Sequence, residues 1–144
     1  MRTLLLALSL AVCLTAGPKP AQKKVVQPKD FPTGRPFSPG ILVDGTLYVA
    51  GQIGADVKTN KIPDDFEAEV RQTLDNVGVI LKEGGKRFED VVSVHVYLTD
   101  MDLFSRMNAV YTTYFKEPRP ARTTVGVTKL AAAAAHIEIT VTAR

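Results

Sequence analysis

Hydrophobic residues between positions 64 and 85 repeat with the period of an α-helix. They are spaced four, four, three and four residues apart, at Phe66, Val70, Leu74, Val77 and Leu81. This spacing places them on one stripe that can pack against a core. Asp64 is suited to cap the first turn, and Glu67 completes a variant of the capping box. The pattern therefore predicts a helix from Asp64 to the stop at Gly84-Gly85.

Alternating apolar and polar residues elsewhere predict β-strands. Asp44-Gly45 lies between two apolar runs and predicts a hairpin with a type I′ turn. The segment VVSVHVYLTD alternates, with one face formed by Val92, Val94, Val96 and Leu98 and the other by Ser93, His95 and Tyr97. Two more strands are predicted at residues 122–129 and 136–143, the latter with an inward face formed by Ile137, Ile139 and Val141.

A second helix is predicted to start near Asp100 or Asp102 and to end before Pro118 and Pro120. Its apolar positions are Leu103, Met107, Val110 and Tyr114, with Phe104, Tyr111 and Phe115 beside them. The order of elements is strand, strand, helix, strand, helix, strand, strand. It predicts an α+β domain with two helices on one face of a mixed sheet. The other face is half polar and half apolar, and we expect oligomerisation to cover it.

The N-terminal stretch MRTLLLALSLAVCLTAG has the composition of a secretory signal. Arg2 precedes an apolar run, and small residues follow it. The run is about half as long as a membrane span requires. We therefore predict a signal peptide at residues 1–20, a linker or lead-in at 21–34, and an exported protein, periplasmic or secreted. A short buried helix and lipidation at Cys13 are the alternatives, and after signal cleavage we expect no membrane association.

Composition and the absence of known motifs exclude several kinds of binding site. The chain has 18 Lys and Arg against 15 Asp and Glu, a small imbalance. The basic groups around Lys86 and Arg119 are not interleaved with aromatic residues, so we interpret them as solvated surface and do not expect nucleic-acid binding. No phosphate-binding loop, dinucleotide fingerprint or metal-ligand cluster is present, and His95 and His136 are interpreted as sheet-surface residues. Accordingly, we expect neither metal nor cofactor.

Candidate chemistry lies in a set of polar residues spread over several elements. Arg122 begins a predicted strand, on the same face as Thr124 and Gly126. Glu138 is at a polar position of the last strand, and Asn108 is in the second helix. If the last two strands form a hairpin over residues 131–135, Arg122 and Glu138 lie about 20 Å apart. They could then share a ligand only across a subunit interface.

Six segments in this order resemble the reactive intermediate deaminase family (Rid, also known as YjgF). They are AGQIG, RQTLDNVGVILKEGG, VVSVHVYLTDM, FSRMNAVYTTYF, PARTTVGV and IEI. The resemblance covers residues 35–144 and implies a chorismate-mutase-like α+β fold. It also implies a homotrimer with sites in the three clefts between subunits. The substrates it implies are 2-imino or enamine acids, which are hydrolysed to 2-keto acids and ammonia without a cofactor.

The resemblance also implies roles for particular residues. Arg122 matches the carboxylate-binding arginine, and Glu138 matches the glutamate that acts as general acid and base. Gly51 would present backbone to the substrate, and Asn108 would line the cleft. The chain departs from the best-studied members at four positions, where a cysteine, a tyrosine, a serine and a second glutamate are replaced by Thr124, Phe37, Ala50 and Thr140.

Three functions remain open from the sequence. The first is an imine deaminase, for which Arg122, Glu138, Gly51, Asn108, Phe37 and Thr124 form the predicted site. The second is a trimer that binds a small carboxylate, or acts as a chaperone, without turnover. The third is ribonuclease activity or translation inhibition, which would need a basic, aromatic-lined groove. Arg122 as a surface ion-pair residue, Glu138 as a solvated strand residue and Asn108 as a helix-surface residue are the alternative interpretations.

Overall fold

The computed structural model describes residues 21–144, so the predicted signal peptide lies outside it. A six-stranded mixed sheet runs in the order β1-β2-β3-β6-β4-β5. The strands are β1 Lys24–Val26, β2 Gly40–Val43, β3 Thr46–Ile53, β4 Val91–Leu98, β5 Ala121–Gly126 and β6 Ile137–Ala143. Only the β4–β5 pair is parallel among the strand pairs of this part of the chain.

Two helices cover one face of this sheet, as predicted: α1 at Phe66–Glu83 and α2 at Phe104–Tyr114. Two short 3-10 turns, Phe88–Asp90 and Met101–Leu103, precede β4 and α2. The core lies between the helices and the sheet. Its buried members include the predicted stripe of α1 and the inward residues of β4 and β6, among them Val70, Leu74, Val77, Leu81, Val94, Val96, Leu98, Ile137, Ile139 and Val141.

The predicted ends of these elements are largely confirmed. Asp44 and Gly45 both have positive φ angles, as a type I′ turn requires. Gly85 has a φ of 71° after α1, and the amides of Gly85 and Lys86 donate to Lys82 and Leu81. This is the glycine-dependent helix end that the sequence predicts.

The cap of α1 was predicted one residue too early. Asp65, not Asp64, is the N-cap, and its carboxylate accepts from the Ala68 amide at 2.8 Å. Either aspartate can form this bond chemically. Phe66 must face the core, and this fixes which of the two precedes the helix.

A register shift corrects the predicted inward face of β4. The pairing of β4 with β6 is irregular between Val91 and Ser93. Val91 is therefore buried, and Val92, which was predicted to face inward, is 51% exposed. A bulge adds one residue and inverts the alternation on one side of it.

The predicted lead-in at residues 21–34 contains ordered structure. Residues 24–26 form β1, which pairs with β2, and both Val26 and Phe31 are buried in the core. The strand is only three residues long, too short for its alternation to predict it.

The predicted hairpin of the last two strands is wrong. β4 lies between β5 and β6, pairing in parallel with β5 and antiparallel with β6. The crossover through α2 returns the chain to the outer edge of β4, where β5 pairs, so β6 must insert between β3 and β4. Arg122 is therefore paired with Val94, which separates it from Val141 of β6.

The face of the sheet away from the helices is open in the single chain. Tyr48, His95 and Val125 are exposed on it. Among the helices of residues 21–144, none combines the length and apolarity needed to cross a membrane.

Candidate active site

Arg122 lies at the edge of the sheet with its side chain toward α2. Its partner in β4 is the core residue Val94, so both side chains are on the helix side. The guanidinium is 4.5 Å from the centre of the Tyr111 ring and 5.6 Å from that of Phe104. These rings hold the cation by cation–π contacts. No carboxylate of residues 21–144 pairs with Arg122, so its fork is free for a ligand.

A groove of about 400 Å³ surrounds this arginine. It is lined by Asn108, Tyr111, Thr112, Arg119, Pro120 and Arg122. The Tyr111 side chain is only 2% exposed, and its hydroxyl has no hydrogen-bond partner within the described chain. Burial raises the pKa of Tyr111, partly offset by the nearby Arg122 guanidinium. The hydroxyl is therefore a neutral donor that a ligand can satisfy.

Thr124 follows two residues later on the same face of β5. Its hydroxyl is also buried without a hydrogen-bond partner in residues 21–144. Thr124 does not line the groove itself. Two buried hydroxyls without partners, on residues that share the helix side with Arg122, indicate a polar site that a single chain leaves unfilled.

Glu138 lies on the opposite side of the sheet. It alternates with the buried residues Ile137 and Ile139 along β6, and it pairs with Ile53 and Tyr97 of the neighbouring strands. Its side chain therefore faces away from the helices. Burial raises the pKa of Glu138 above its usual value, which is the change that a general acid needs near neutral pH.

Gly51 makes room for this carboxylate. A Cβ atom at position 51 would lie 1.9 Å from Oε1 of Glu138, so no other residue fits without moving the glutamate. The pairing of β3 with β6 shifts register between Val49 and Gln52. The side-chain Nε2 of Gln52 donates to the backbone carbonyls of Ala50 and Gly51, at 2.9 and 3.1 Å. These bonds hold the irregular backbone in place.

A second groove, of about 330 Å³, lies beside Glu138. It is lined by Arg35, Phe37, Ala50, Gly51, Ile53, Ala131, Ala132 and Glu138. Phe37 is 51% exposed at its rim, and the Arg35 guanidinium lies 5.8 Å from the centre of its ring. Arg35 and Glu138 are the two charged residues among those that line this groove. The other lining residues contribute apolar side chains or, at Gly51, backbone alone.

The structure thus divides the predicted site into two groups. Arg122, Asn108 and Thr124 lie on the helix side, while Gly51, Phe37 and Glu138 lie on the open side. The sheet separates the groups, with β4 between the strands that carry Arg122 and Glu138. A single copy of the chain cannot bring them onto one small ligand.

Three residues of these grooves, Tyr111, Arg119 and Arg35, were not among the predicted site residues. Tyr111 was predicted only as an apolar residue beside the stripe of α2, although it follows Asn108 by three residues and so shares its helix face. Arg119 was interpreted as solvated surface. Arg35 lies in a proline-rich segment without periodicity, where no pattern could have identified it.

The histidines take no part in either groove. His95 is exposed on the open face of the sheet. The Nδ1 atom of His136 is 2.8 Å from Oε2 of Glu69, a fully buried carboxylate of α1. Oε1 of the same carboxylate accepts from the His136 amide at 2.7 Å, so this contact ties α1 to β6. Residues 21–144 contain no cluster of three or more metal-ligating side chains.

Together, the fold and the grooves define a class of protein: a single-sheet α+β domain with a groove on each side of the sheet. Residues 28–144 match the family described as Endoribonuclease L-PSP. The chain belongs to this family, the Rid/YjgF family that its motifs resemble.

Individual relatives agree with this assignment. A RutC family protein of Sulfurisphaera tokodaii is 46% identical over 96 residues, 66% of this chain and 77% of that protein. The 2-iminobutanoate/2-iminopropanoate deaminase of Mus musculus is 37% identical over 110 residues, 75% of this chain and 82% of that protein. The structure of the E. coli YjgF gene product matches with a TM-score of 0.77 at 32% identity, over 83% of this chain and 97% of that chain. The predicted α+β fold is confirmed.

Proposed function

We propose that the protein is a deaminase that hydrolyses 2-imino and enamine acids to 2-keto acids and ammonia. One observation carries this proposal. A guanidinium with no carboxylate partner and a carboxyl group with a raised pKa lie in separate grooves on opposite sides of the sheet. Such a pair can act on one substrate when two copies of the chain meet. The deaminase relatives support the same chemistry.

The two groups have distinct roles in this reaction. Arg122 binds the substrate carboxylate with two parallel hydrogen bonds and fixes its orientation. Glu138 donates a proton to the enamine carbon, which gives the iminium form. It then takes a proton from the water whose oxygen bonds to C2. Proton transfer to nitrogen and cleavage of the C–N bond release ammonia and leave the 2-keto acid, with one water consumed.

We further propose a homotrimer with sites at its subunit interfaces. An interface that joins the Arg122 groove of one copy to the open side of the next is head-to-tail, and head-to-tail contacts form a ring when the rotation between copies closes. Three such contacts complete three sites. The exposed Tyr48 and Val125 on the open face support its coverage by other copies.

The lining of the Glu138 groove favours one alternative. Phe37 and Ala50 bring no hydroxyl near the carboxyl group, so fewer groups are available to position a water. A trimer that binds a small carboxylate without turnover is therefore the second candidate. Arg122 has the same role in both.

A coupled assay distinguishes the two functions. An amino-acid oxidase generates imines, and semicarbazide traps those that survive. We expect the wild-type protein to lower the trapped product and Arg122→Ala to lose this effect. Equal trapping with both proteins, together with binding of butyrate that depends on Arg122, would leave only the binding function.

Mixed oligomers test where the site forms. Arg122→Ala and Glu138→Gln are each expected to be inactive alone. If the two residues act from different subunits, co-expression restores about one quarter of wild-type activity, because one in four interfaces pairs an intact arginine with an intact glutamate. If both act from one subunit, co-expression restores none.

We also propose that residues 1–20 direct export and are removed. The apolar run after Arg2 supports this. We expect the masses of the exported and the cytosolic protein, measured by mass spectrometry, to differ by the mass of the leader. Equal masses would contradict cleavage.

A further inference from the structure

A second guanidinium lines the groove of Arg122. Arg119 lies three residues earlier in the chain and lines the same groove of about 400 Å³. The positive charges of Arg122 and Arg119 both act to lower the pKa of the Tyr111 hydroxyl, against the larger effect of burial. No acidic side chain is among the lining residues of this groove. The proposed deaminase reaction needs only one cation in this groove, to bind the substrate carboxylate. A substrate with a single carboxylate therefore gives no role to Arg119.

The local sequence sets the spacing of the two arginines. Pro120 follows Arg119, and a residue before proline is biased toward an extended backbone. Three extended residues separate the two Cα atoms by about 10 Å. Two arginine side chains can then point to opposite ends of a ligand of four or five carbons. The groove volume also falls in the range of small-molecule sites.

Arg119 is paired with Glu117 in the free chain. Both side chains are exposed, 43% and 71%, respectively, and exposed pairs of this kind contribute little to stability. A ligand carboxylate can therefore take the place of Glu117 at small cost. Glu117 shows which chemistry Arg119 binds, since it presents a carboxylate to the guanidinium two residues away.

We propose that the site prefers dicarboxylic imino acids, with the α-carboxylate on Arg122 and the distal carboxylate on Arg119. This inference rests on the proposed deaminase function and specifies its substrate class. The reaction is unchanged: a 2-imino dicarboxylic acid and one water give a 2-keto dicarboxylic acid and ammonia. A reaction that oxidises the amino group of an acidic amino acid must supply such a substrate.

The test compares two substrates in the full-length protein. An oxidase generates the imine of glutamate or aspartate in one assay and 2-iminobutanoate in the other. We expect wild-type kcat/KM to be higher for the dicarboxylic imine. In Arg119→Gln the ratio of the two values should fall about tenfold or more, because a charged hydrogen bond to the distal carboxylate is lost. In Glu117→Gln the ratio should rise.

Lys116→Gln is the matched control. It removes an exposed positive charge from the same loop, and Lys116 does not line the groove. We expect this variant to keep the wild-type ratio. A ratio that is unchanged in Arg119→Gln, or that falls equally in Lys116→Gln, overturns the proposal.

Binding separates this proposal from the deaminase function. If no imine is turned over, calorimetry with glutarate and butyrate still tests the groove. Tighter binding of glutarate that is lost in Arg119→Gln supports the diacid site. In that case only the proposed deaminase reaction is rejected. Equal affinity for the two acids rejects the diacid site, whatever the outcome of the activity assay.

Discussion

Gly51 and Glu138 show at the scale of single residues how the absence of a side chain lets a carboxyl group lie against the backbone. The Glu138 carboxyl group occupies the space above Gly51. It is thereby held against the backbone and partly removed from water, and this burial raises its pKa. The sequence predicts both residues only through the family resemblance. Their direct contact depends on the pairing of β3 with β6, which no local pattern encodes.

Gly51→Ala is expected to abolish the proposed deaminase activity without unfolding the protein. The new Cβ would lie 1.9 Å from Oε1 of Glu138, so the carboxyl group must move by an ångström or more. Displacement of a reacting group by that amount costs about 100-fold in rate. The imine-trapping assay measures kcat.

Gly126→Ala is the control for this substitution, because its Cβ would meet only the flexible side chain of Met101 at 3.0 Å. Circular dichroism checks that both variants fold. Full activity of Gly51→Ala would show that the position of the Glu138 carboxyl group is not critical.

Glu138→Gln is expected to stabilise the fold at neutral pH. The folded-state pKa of Glu138 is raised by burial, so its contribution to stability is fully present below the unfolded pKa of about 4.3 and is lost as the pH rises through the folded value. Glutamine never carries the buried charge. We expect no difference in Tm at pH 4 and a rise on the order of 2 °C at pH 7.

Thermal melts at one protein concentration measure this difference, since subunit association also shifts Tm. Glu89→Gln, at an exposed glutamate, should show no such rise. A lower Tm for Glu138→Gln at pH 7 would mean that the ionised carboxylate is stabilised by a partner.

Tyr111→Phe separates binding from folding. The hydroxyl has no hydrogen-bond partner in the described chain, so its removal should leave the free energy of unfolding unchanged or slightly higher. If the hydroxyl binds the substrate, kcat/KM should fall about tenfold. A clear loss of stability with unchanged kinetics would instead assign the hydroxyl to the core.

At the scale of secondary-structure elements, local pattern and long-range pairing contribute differently. The stripe of α1, the turn at Asp44-Gly45 and the inward face of β6 depend on residues within one segment, and the sequence predicts them well. The order of the strands depends on contacts between distant segments. For this reason the hairpin of β5 and β6 was a wrong prediction. Alternation with Ile137 and Ile139 identifies the face of Glu138, but the helix-side position of Arg122 follows only from its pairing with Val94.

Glu69 illustrates a contact between elements that no pattern reveals. It lies at a buried position of α1, and its carboxylate accepts from the amides of His136 and Ile137, at 2.7 and 3.4 Å. Glu69→Ala leaves these donors at the start of β6 without their acceptor. We expect the free energy of unfolding to fall by about 3 kcal/mol, measured by denaturant titration.

Glu83→Ala changes an exposed glutamate of the same helix and should cost far less stability. Equal losses in Glu69→Ala and Glu83→Ala would show that the buried contact does not stabilise the joint of α1 and β6.

At the scale of the whole molecule, each side of the sheet carries one of the two groups of residues that form the proposed site. The helices cover the core on one side but leave the Arg122 groove open at the edge, and the open side presents Glu138. The single chain therefore has a complete core, whereas the proposed site needs residues from both sides of the sheet. The function proposed here depends on the surface that joins one copy to the next.

A charge on the open face should therefore abolish activity without touching either groove. Val125 is 40% exposed there and lines neither groove. Val125→Glu would bury a carboxylate at the proposed interface, which is strongly unfavourable without a partner. We expect a folded monomer by sedimentation and circular dichroism, with deaminase activity reduced at least about 100-fold.

Val79→Glu makes the same change at a valine of α1 that is 45% exposed, so it should keep the oligomeric state and activity of the wild type. Comparison of the two variants separates the effect of assembly on activity from the effects of folding and of the site side chains. Because neither Arg122 nor Glu138 is altered, any loss in Val125→Glu must come from separating the two halves of the site. A fully active monomer would show instead that one chain suffices, and the division of the site across the sheet would have no functional meaning.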